Sequence, residues 1–197
     1  MYRVGITGGI GAGKSIVCTI FSTLGIPIYN ADAAARRLMQ EDVELKSELV
    51  KLFGKDAFDA AGNLNRTLIA KQVFNNEPLL LSLNAVVHPA VARDYARWES
   101  QHTTAPYTLR EAAILFESGT NIDLNHIILV DAPEEIRIQR VKERDQRSEE
   151  EIKAIISRQW TSEKKKSLSD DCIINDDQHL VIPQVLSIHE KLISASV

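Results

Sequence analysis

Short apolar runs alternate along the chain with longer segments that have the periodicity of amphipathic helices. The first run, Tyr2–Thr7, is apolar at nearly every position, which suits a strand of a sheet covered on both faces. Four further runs predict strands over residues 26–29, 107–115, 126–131 and 172–174. Because strands that alternate with helices form parallel sheets, we predict an α/β fold with a doubly wound, five-stranded parallel sheet.

A helical insertion is predicted between the second and third strands. Helical patterns cover residues 31–40, 42–53, 66–74 and 77–87, and His88-Pro89 predicts a break before another helix over 90–101. We therefore predict a helical domain at 31–88. The nucleotide-binding core would comprise 1–30, 89–138 and 168–197.

The segment from Gly8 to Ser15 fits the phosphate-binding pattern G-x-x-x-x-G-K-[ST]. It lies between the first strand and a helix predicted over 16–24, which is the context that this motif requires. Its glycines let backbone N–H groups face a polyphosphate, and the helix presents its positive end to the same anion. Lys14 would contact the β- and γ-phosphates, and the Ser15 hydroxyl would bind Mg²⁺. The motif predicts nucleotide binding, and a plain glycine turn is the alternative.

Composition excludes several classes of function. The net charge is −4 and the basic run Lys164–Lys166 is interpreted as a solvated helix face, so no nucleic-acid partner is expected. The chain shows no signal-peptide pattern and no apolar stretch of about 18 residues, so we expect no membrane span. We expect a cytoplasmic protein that is a monomer or a weak homo-oligomer.

Two carboxylates are candidates for chemistry, and each has two interpretations. Glu111 lies late in the third predicted strand, where it would hold Mg²⁺ through water or simply face solvent. Asp32 lies in a first helical turn beyond the second strand. It would orient the proton of an attacking hydroxyl, or only stabilise the helix N-terminus. Arg36 would pair with Asp32 or bind substrate phosphates, and His88 is either a substrate contact or a packed linker residue.

Four arginines follow Pro133 at spacings of three or four residues and share much of one helix face: Arg137, Arg140, Arg144 and Arg147. Neighbouring acidic residues would balance these charges in one interpretation. In the other, the arginines belong to a lid over 139–167, and at least one of them neutralises the transferring phosphoryl group.

Taken together, these separated pieces resemble the dephospho-CoA kinase family over nearly the whole chain. The matching segments are 7–15, 30–32 with Arg36, 64–66, 83–84 through 88–89, 114–117, Arg140, 144–145, Gln159 and 174–175. The resemblance implies a P-loop kinase with a nucleotide core, a helical substrate domain and a lid. It also implies ATP- and Mg²⁺-dependent phosphorylation of the ribose 3′-hydroxyl of dephospho-CoA, which is the last step of CoA biosynthesis.

The resemblance also implies roles for individual residues. Nucleotide contacts fall on Gly11, Ala12, Gly13, Lys14, Ser15, Ile16, Arg144 and Asn175. Acceptor contacts fall on Thr7, Asp32, Arg36, His88 and Leu115. Catalytic roles fall on Lys14, Asp32 and Arg140, and metal binding falls on Ser15 and Glu111.

Three positions depart from the family pattern. Asn30 stands where Asp is usual, Ile16 where Thr is usual and Ala113 where Pro is usual. Two other functions stay open from the residues alone: a different small-molecule kinase, such as a nucleoside monophosphate kinase, and a nucleotide-gated binding module. A GTPase is disfavoured because the chain lacks N-K-x-D.

Overall fold

The computed structural model describes residues 1–74 and 76–196, which divide into two compact units. The nucleotide unit comprises residues 1–30 and those from His102 onward, and the helical unit comprises Ala31–Gln101. Within the described ranges, no helix has the length and apolar character needed to cross a lipid bilayer.

The nucleotide unit contains a five-stranded parallel sheet in the order β2-β3-β1-β4-β5. The strands are β1 (Tyr2–Thr7), β2 (Ile28–Asn30), β3 (Tyr107–Glu111), β4 (His126–Asp131) and β5 (Asp171–Ile174). The predicted α/β fold with a five-stranded parallel sheet is confirmed.

The helices are α1 (Lys14–Thr23), α2 (Ala31–Glu41), α3 (Val43–Phe53), α4 (Arg66–Val73), α5 (Glu77–Glu99), α6 (Glu134–Asp145), α7 (Glu149–Ile156), α8 (Ser162–Lys166) and α9 (Val181–Ala195), with a 3₁₀ turn at Lys55–Ala57. Helices α1 and α9 pack together, and their apolar residues share one core with the strands. Helix α8 packs against β4.

Strand β1 organises the nucleotide unit because it is paired on both sides. Val4 lies between Leu109 of β3 and His126 of β4, and it is fully buried. Since all five strands are parallel, their carboxyl ends lie along one edge of the sheet. Ligands of open α/β folds bind at this edge.

The third strand is shorter than predicted. It ends at Glu111 rather than at Leu115, and the chain then turns after Ala112 donates its N–H to the Ile6 carbonyl at 3.1 Å. The apolar pattern continues past the strand because Leu115 and Phe116 are buried as turn residues. Strand β2 also differs from the prediction, because it covers Ile28–Asn30 rather than 26–29.

The helical unit is held by a core of its own. Leu38, Leu49 and Phe53 belong to one buried cluster, which Val87 of α5 joins. Side-chain caps set the helix starts: Asp42 accepts the Leu45 N–H at 2.8 Å, and Asn76 accepts the Leu79 N–H at 3.1 Å. These caps satisfy N–H groups that have no partner inside the helix.

The predicted break at His88-Pro89 is wrong, because α5 runs without interruption from Glu77 to Glu99 with Pro89 inside it. Proline removes its own N–H donor and its ring crowds the carbonyl four residues earlier, but the helix is kept by packing on both sides of Pro89, since Val87 and Ala90 are buried. The predicted domain boundary after residue 88 therefore falls inside a helix, and the helical unit extends to Gln101.

A proline substitution tests this continuous helix. An interior proline costs a helix about 3 kcal/mol, part of which is offset because proline also restricts the unfolded chain. We expect Pro89→Ala to raise the free energy of unfolding by about 1–2 kcal/mol in urea titrations followed by circular dichroism. Pro78→Ala, in the first turn of α5, is the matched control. It should lower that free energy by about 0.4–1 kcal/mol, because the first turn tolerates proline. Equal stability of the two variants would contradict a regular helix at Pro89.

Candidate active site

The loop between β1 and α1 has a backbone that only glycine can follow. Gly11 and Gly13 have φ angles of 79° and 93°, in the left-handed region. A Cβ at Gly11 would overlap the Arg137 backbone carbonyl, and a Cβ at Gly13 would overlap the Asn175 side-chain amide. The glycines therefore permit both the turn and its close seat against other elements.

Helix α1 begins at Lys14, two residues earlier than predicted. Lys14 Nζ donates to the Gly8 carbonyl at 2.9 Å, and Ser15 next to it is exposed. The first turn of α1 carries no acidic residue, so the positive end of the helix is not neutralised there. The Ile16 side chain is 59 % exposed, and its N–H donates to the Gly13 carbonyl at 3.0 Å.

Asn175 fixes this loop from the end of β5. Its Nδ2 donates to the Ala12 carbonyl at 2.9 Å, and its backbone N–H donates to the Asp131 carbonyl at 2.8 Å. The next residue, Asp176, accepts the His179 N–H at 2.9 Å, and such hydrogen bonds lower the pKa of Asp176 to about 2. The turn after β5 is thus a rigid support with an ionised carboxylate.

The two terminal guanidinium nitrogens of Arg140, on α6, have different surroundings. Its Nη2 donates to Asp177 and, at 3.4 Å, to Asn175 Oδ1. Its Nη1 is buried and has no hydrogen-bond partner among the described residues. This nitrogen lies 4.0 Å from the position that a Cβ on Gly13 would take. It is therefore a buried cationic donor beside the glycine loop.

Arg144 and Arg137 differ from Arg140 although all three lie on α6. Arg144 donates to Asp145 at 2.7 and 2.8 Å, which lowers the pKa of that carboxyl, and Arg144 is exposed. Arg137 is buried, donates from Nε to the Ala132 carbonyl at 3.1 Å and packs against Gly9. The four arginines therefore do not act as one face, because Arg137 is a support for the loop.

Two clefts of this unit lie against the glycine loop or the elements that support it. One of about 300 Å³ is lined by Gly11, Gly13, Lys14, Ser15, Ile16, Arg140, Val141 and Arg144. A larger one of about 580 Å³ is lined by residues that include Asp131, Arg137, Trp160 and Ser162, and of the four candidate arginines only Arg137 lines it. Of these two clefts, the smaller one is lined by the glycine loop and the first residues of α1, so the predicted nucleotide contacts converge there.

Glu111 is buried at the end of β3 and does not face solvent. Its carboxylate accepts a hydrogen bond from the Asn30 side-chain amide. The pKa of the Cys18 thiol is raised to about 12, mainly by burial and to a smaller extent by the negative charge of Glu111. This cysteine therefore stays protonated and inert. Within the described part of the chain, no group of three or more His, Cys, Asp or Glu side chains could hold a metal ion.

Thr7 and Leu115 are fully buried. The Thr7 hydroxyl is directed at the Ala113 carbonyl at 3.5 Å, and Leu115 is a core residue. Neither side chain offers exposed surface to a ligand, so their predicted acceptor contacts stay predictions without geometric support.

In the helical unit, Asp32 lies in the first turn of α2, and its backbone carbonyl accepts from Arg36 Nε at 3.1 Å. The Arg36 side chain is exposed. His88 lies within α5, where partial burial lowers its pKa and favours the neutral ring.

The interpretation of Lys164–Lys166 as a solvated face is wrong for Lys165, which is 1 % exposed. Its Nζ contacts Glu117 Oε1 at 2.9 Å and the Ala113 carbonyl at 3.1 Å. No local pattern could have distinguished this lysine from its two neighbours, because its partners come from a segment about fifty residues away. Lysine is almost never fully buried unless it is paired.

Comparisons with known proteins agree with this architecture. The family model for CoaE, dephospho-CoA kinase, matches residues 2–180. A dephospho-CoA kinase from Porphyromonas gingivalis is 38 % identical over 196 residues, which cover 98 % of this chain and 95 % of the relative. One from Bacteroides fragilis is 35 % identical over 186 residues, which cover 94 % and 90 %.

Solved structures have the same fold. The crystal structure of TT1252 from Thermus thermophilus is 33 % identical and has a TM-score of 0.85, with 96 % of each chain covered. Dephospho-CoA kinase from Campylobacter jejuni has a TM-score of 0.71 over 99 % of this chain and 98 % of that chain, and its 23 % identity supports the fold alone. The glycine loop, the parallel sheet and the match over residues 2–180 together show that this chain belongs to the dephospho-CoA kinase family.

Proposed function

We propose that the protein transfers the γ-phosphoryl group of ATP to the ribose 3′-hydroxyl of dephospho-CoA and so forms CoA and ADP. The ATP-binding part of this proposal rests on the buried Nη1 of Arg140, which lies beside Gly13. This nitrogen lacks a hydrogen-bond partner among the described residues. A buried donor without a partner costs free energy, and the cost is greater for a charged group. A phosphate oxygen in the adjoining cleft would satisfy it.

The donor site comprises the glycine loop and the cationic side chains around it. The backbone of Gly11–Ser15 and the start of α1 would cradle the ATP phosphates, with a weaker contribution from Ile16, whose N–H is already bonded. Lys14 and Arg140 would contact the phosphoryl oxygens, where charge accumulates during transfer. Arg144 and Asn175 would border the nucleotide from α6 and the end of β5.

The metal site would use two oxygen donors of this unit. The Ser15 hydroxyl, exposed at the start of α1, and the Glu111 carboxylate, held by Asn30, have the oxygen chemistry that Mg²⁺ prefers. Mg²⁺ bound there would neutralise charge on the β- and γ-phosphates.

The acceptor half rests on the resemblance and on relatives whose names specify dephospho-CoA. Asp32 would orient or accept the proton of the attacking hydroxyl, since it follows the end of β2 by two residues along the chain. The exposed Arg36 would bind an acceptor phosphate, and His88 would contact the acceptor from α5. Residues 139–167 would form the lid that brings Arg140 and Arg144 to the phosphates.

The acceptor assignment is tested by following ADP release from ATP and Mg²⁺. We expect turnover with dephospho-CoA to exceed turnover with AMP, CMP, UMP or water by at least about 10³-fold. The reason is that the proposed acceptor residues would position the ribose 3′-hydroxyl of this one substrate. Turnover only with a nucleoside monophosphate would overturn the assignment. ATP binding without turnover on any acceptor would instead favour a nucleotide-gated binding module.

Asp32→Asn tests the role of the carboxylate. The substitution keeps the size of the side chain and removes its charge, so we expect kcat to fall by at least about 10²-fold. The affinity for ATP, measured by calorimetry, should stay close to that of the unsubstituted protein, since no donor contact is changed. Undiminished turnover would remove Asp32 from the mechanism.

Arg140→Met tests the buried guanidinium. Removing a preorganised donor from a phosphoryl-transfer site typically costs about 10²–10³ in rate, and we expect a loss of kcat/KM for ATP of this size. Arg147→Met is the control, because Arg147 lies beyond the end of α6 with Asp145 at 4.0 Å. If both variants lost activity equally, general positive charge rather than the position of Arg140 would be responsible.

A further inference from the structure

A buried ion pair in the nucleotide unit joins α8 to the loop after β3. The Lys165 side chain is 1 % exposed, and its Nζ lies 2.9 Å from Glu117 Oε1 and 3.1 Å from the Ala113 carbonyl. The Thr7 hydroxyl at the end of β1 is directed at the same Ala113 carbonyl at 3.5 Å. One cation thus links α8, the loop after β3 and the residue just before the glycine loop.

Glu117 extends this contact to the segment between α7 and α8. Its Oε1 also accepts the Trp160 N–H at 2.9 Å, and the Trp160 ring is stacked on Phe116 with an interplanar angle of 2° and ring centroids 6.2 Å apart. Its Oε2 is buried and has no hydrogen-bond partner within the described ranges. The carboxylate therefore depends on Lys165 and Trp160 for its hydrogen bonds.

The residue before Trp160 reaches the glycine loop directly. Gln159 Oε1 accepts the Ile10 N–H at 3.0 Å. Ile10 belongs to the part of the loop that precedes Gly11, so this contact does not use the N–H groups proposed to face phosphate. The connection thus runs from Lys165 through Glu117 and Trp160 to Gln159 and Ile10.

The Lys165–Glu117 ion pair can hold the segment between α7 and α8 in one position. A paired charge inside a protein cannot shift toward water without leaving its partner buried and unpaired, which is strongly unfavourable. Hydrogen bonds in such a network also depend on one another, because each one orients the next. The segment between α7 and α8, which contains Gln159 and Trp160, is therefore held close to the glycine loop.

We propose that Lys165 and Glu117 are positioning residues for phosphoryl transfer. They hold Gln159 against the Ile10 N–H, so that the glycine loop and the returning segment of the lid keep the geometry that transfer requires. This role rests on the phosphotransfer function proposed above. Because the contact lies on the Ile10 side of the loop, its loss should lower kcat and leave ATP binding nearly intact.

The first experiment compares Lys165→Met with Lys166→Met, which removes an exposed lysine one residue away. We expect Lys165→Met to lower kcat about 10–100-fold, as small misplacements of a reacting group do, while KM for ATP changes by less than about threefold. Lys166→Met should retain both parameters. Lys165→Met with an undiminished kcat and only a lower Tm would overturn the proposal, because the pair would then be structural alone.

The second experiment does not depend on a folded Lys165→Met variant, and it adds a measurement other than turnover. Gln159→Ala removes the acceptor for Ile10 without unpairing a buried charge. Hydrogen exchange of the Ile10 amide, measured by NMR in the absence of substrate, should be faster in Gln159→Ala than in the unsubstituted protein, and kcat should fall with little change in KM for ATP. Unchanged exchange together with unchanged kcat would overturn the proposal.

The two proposals fail in different ways. If the unsubstituted protein did not phosphorylate dephospho-CoA, the proposed function would fail, whereas faster Ile10 exchange in Gln159→Ala would still support the link between Gln159 and the loop. If the unsubstituted protein were active and both variants matched it in kcat, the positioning role alone would be contradicted.

Discussion

The close approach of the glycine loop to three other elements is the constraint on which the nucleotide unit depends. A side chain at Gly8 would overlap the Val130 carbonyl of β4, one at Gly11 would overlap α6 at Arg137, and one at Gly13 would overlap Asn175 after β5. The loop therefore takes its shape from tertiary packing as well as from its own residues. The same packing explains why Asn175 and Arg137 are buried although both are polar. Asn175 donates to the Ala12 carbonyl of the loop, and Arg137 donates to the Ala132 carbonyl and packs against the loop glycines.

The contact between Asn30 and Glu111 shows the physical effect of an amide at position 30. At the position where the resemblance leads us to expect aspartate, the Asn30 side-chain amide donates to the buried Glu111 carboxylate. Two carboxylates at this spacing would repel each other unless a proton or a cation were shared between them. The amide removes that repulsion and orients Glu111 by a hydrogen bond. The Glu111 carboxylate therefore has a neutral hydrogen-bond donor at position 30 rather than a second carboxylate.

Charged side chains separate into two groups that their sequence context does not distinguish. Lys165 lies between two exposed lysines, yet it is buried and paired with Glu117. Arg137 shares a helix with Arg144, yet only Arg144 is exposed. In both cases the buried residue connects distant parts of the chain, while its neighbours make local contacts or none that fix the fold. A buried charge needs a partner of complementary chemistry: Lys165 is paired with Glu117 from a distant loop, whereas Arg137 has the local partners Ala132 and Glu134 and packs against Gly9.

The sequence by itself determined the α/β class, the five parallel strands and the phosphate-binding loop, because each of these depends on local periodicity or on a contiguous motif. It also determined the family, through an ordered set of matching segments spread along the chain. It also identified Glu111 and Arg140 as candidates, although it left open whether Glu111 faces solvent. Only the tertiary structure decided that α5 continues through Pro89, that β3 stops at Glu111, and that Thr7 and Leu115 are core residues. The physical reason is common to these cases: packing against residues far away in the chain can outweigh a local proline or extend an apolar run beyond its strand. The same reason applies to Lys165, whose burial depends on a carboxylate 48 residues away (165 minus 117).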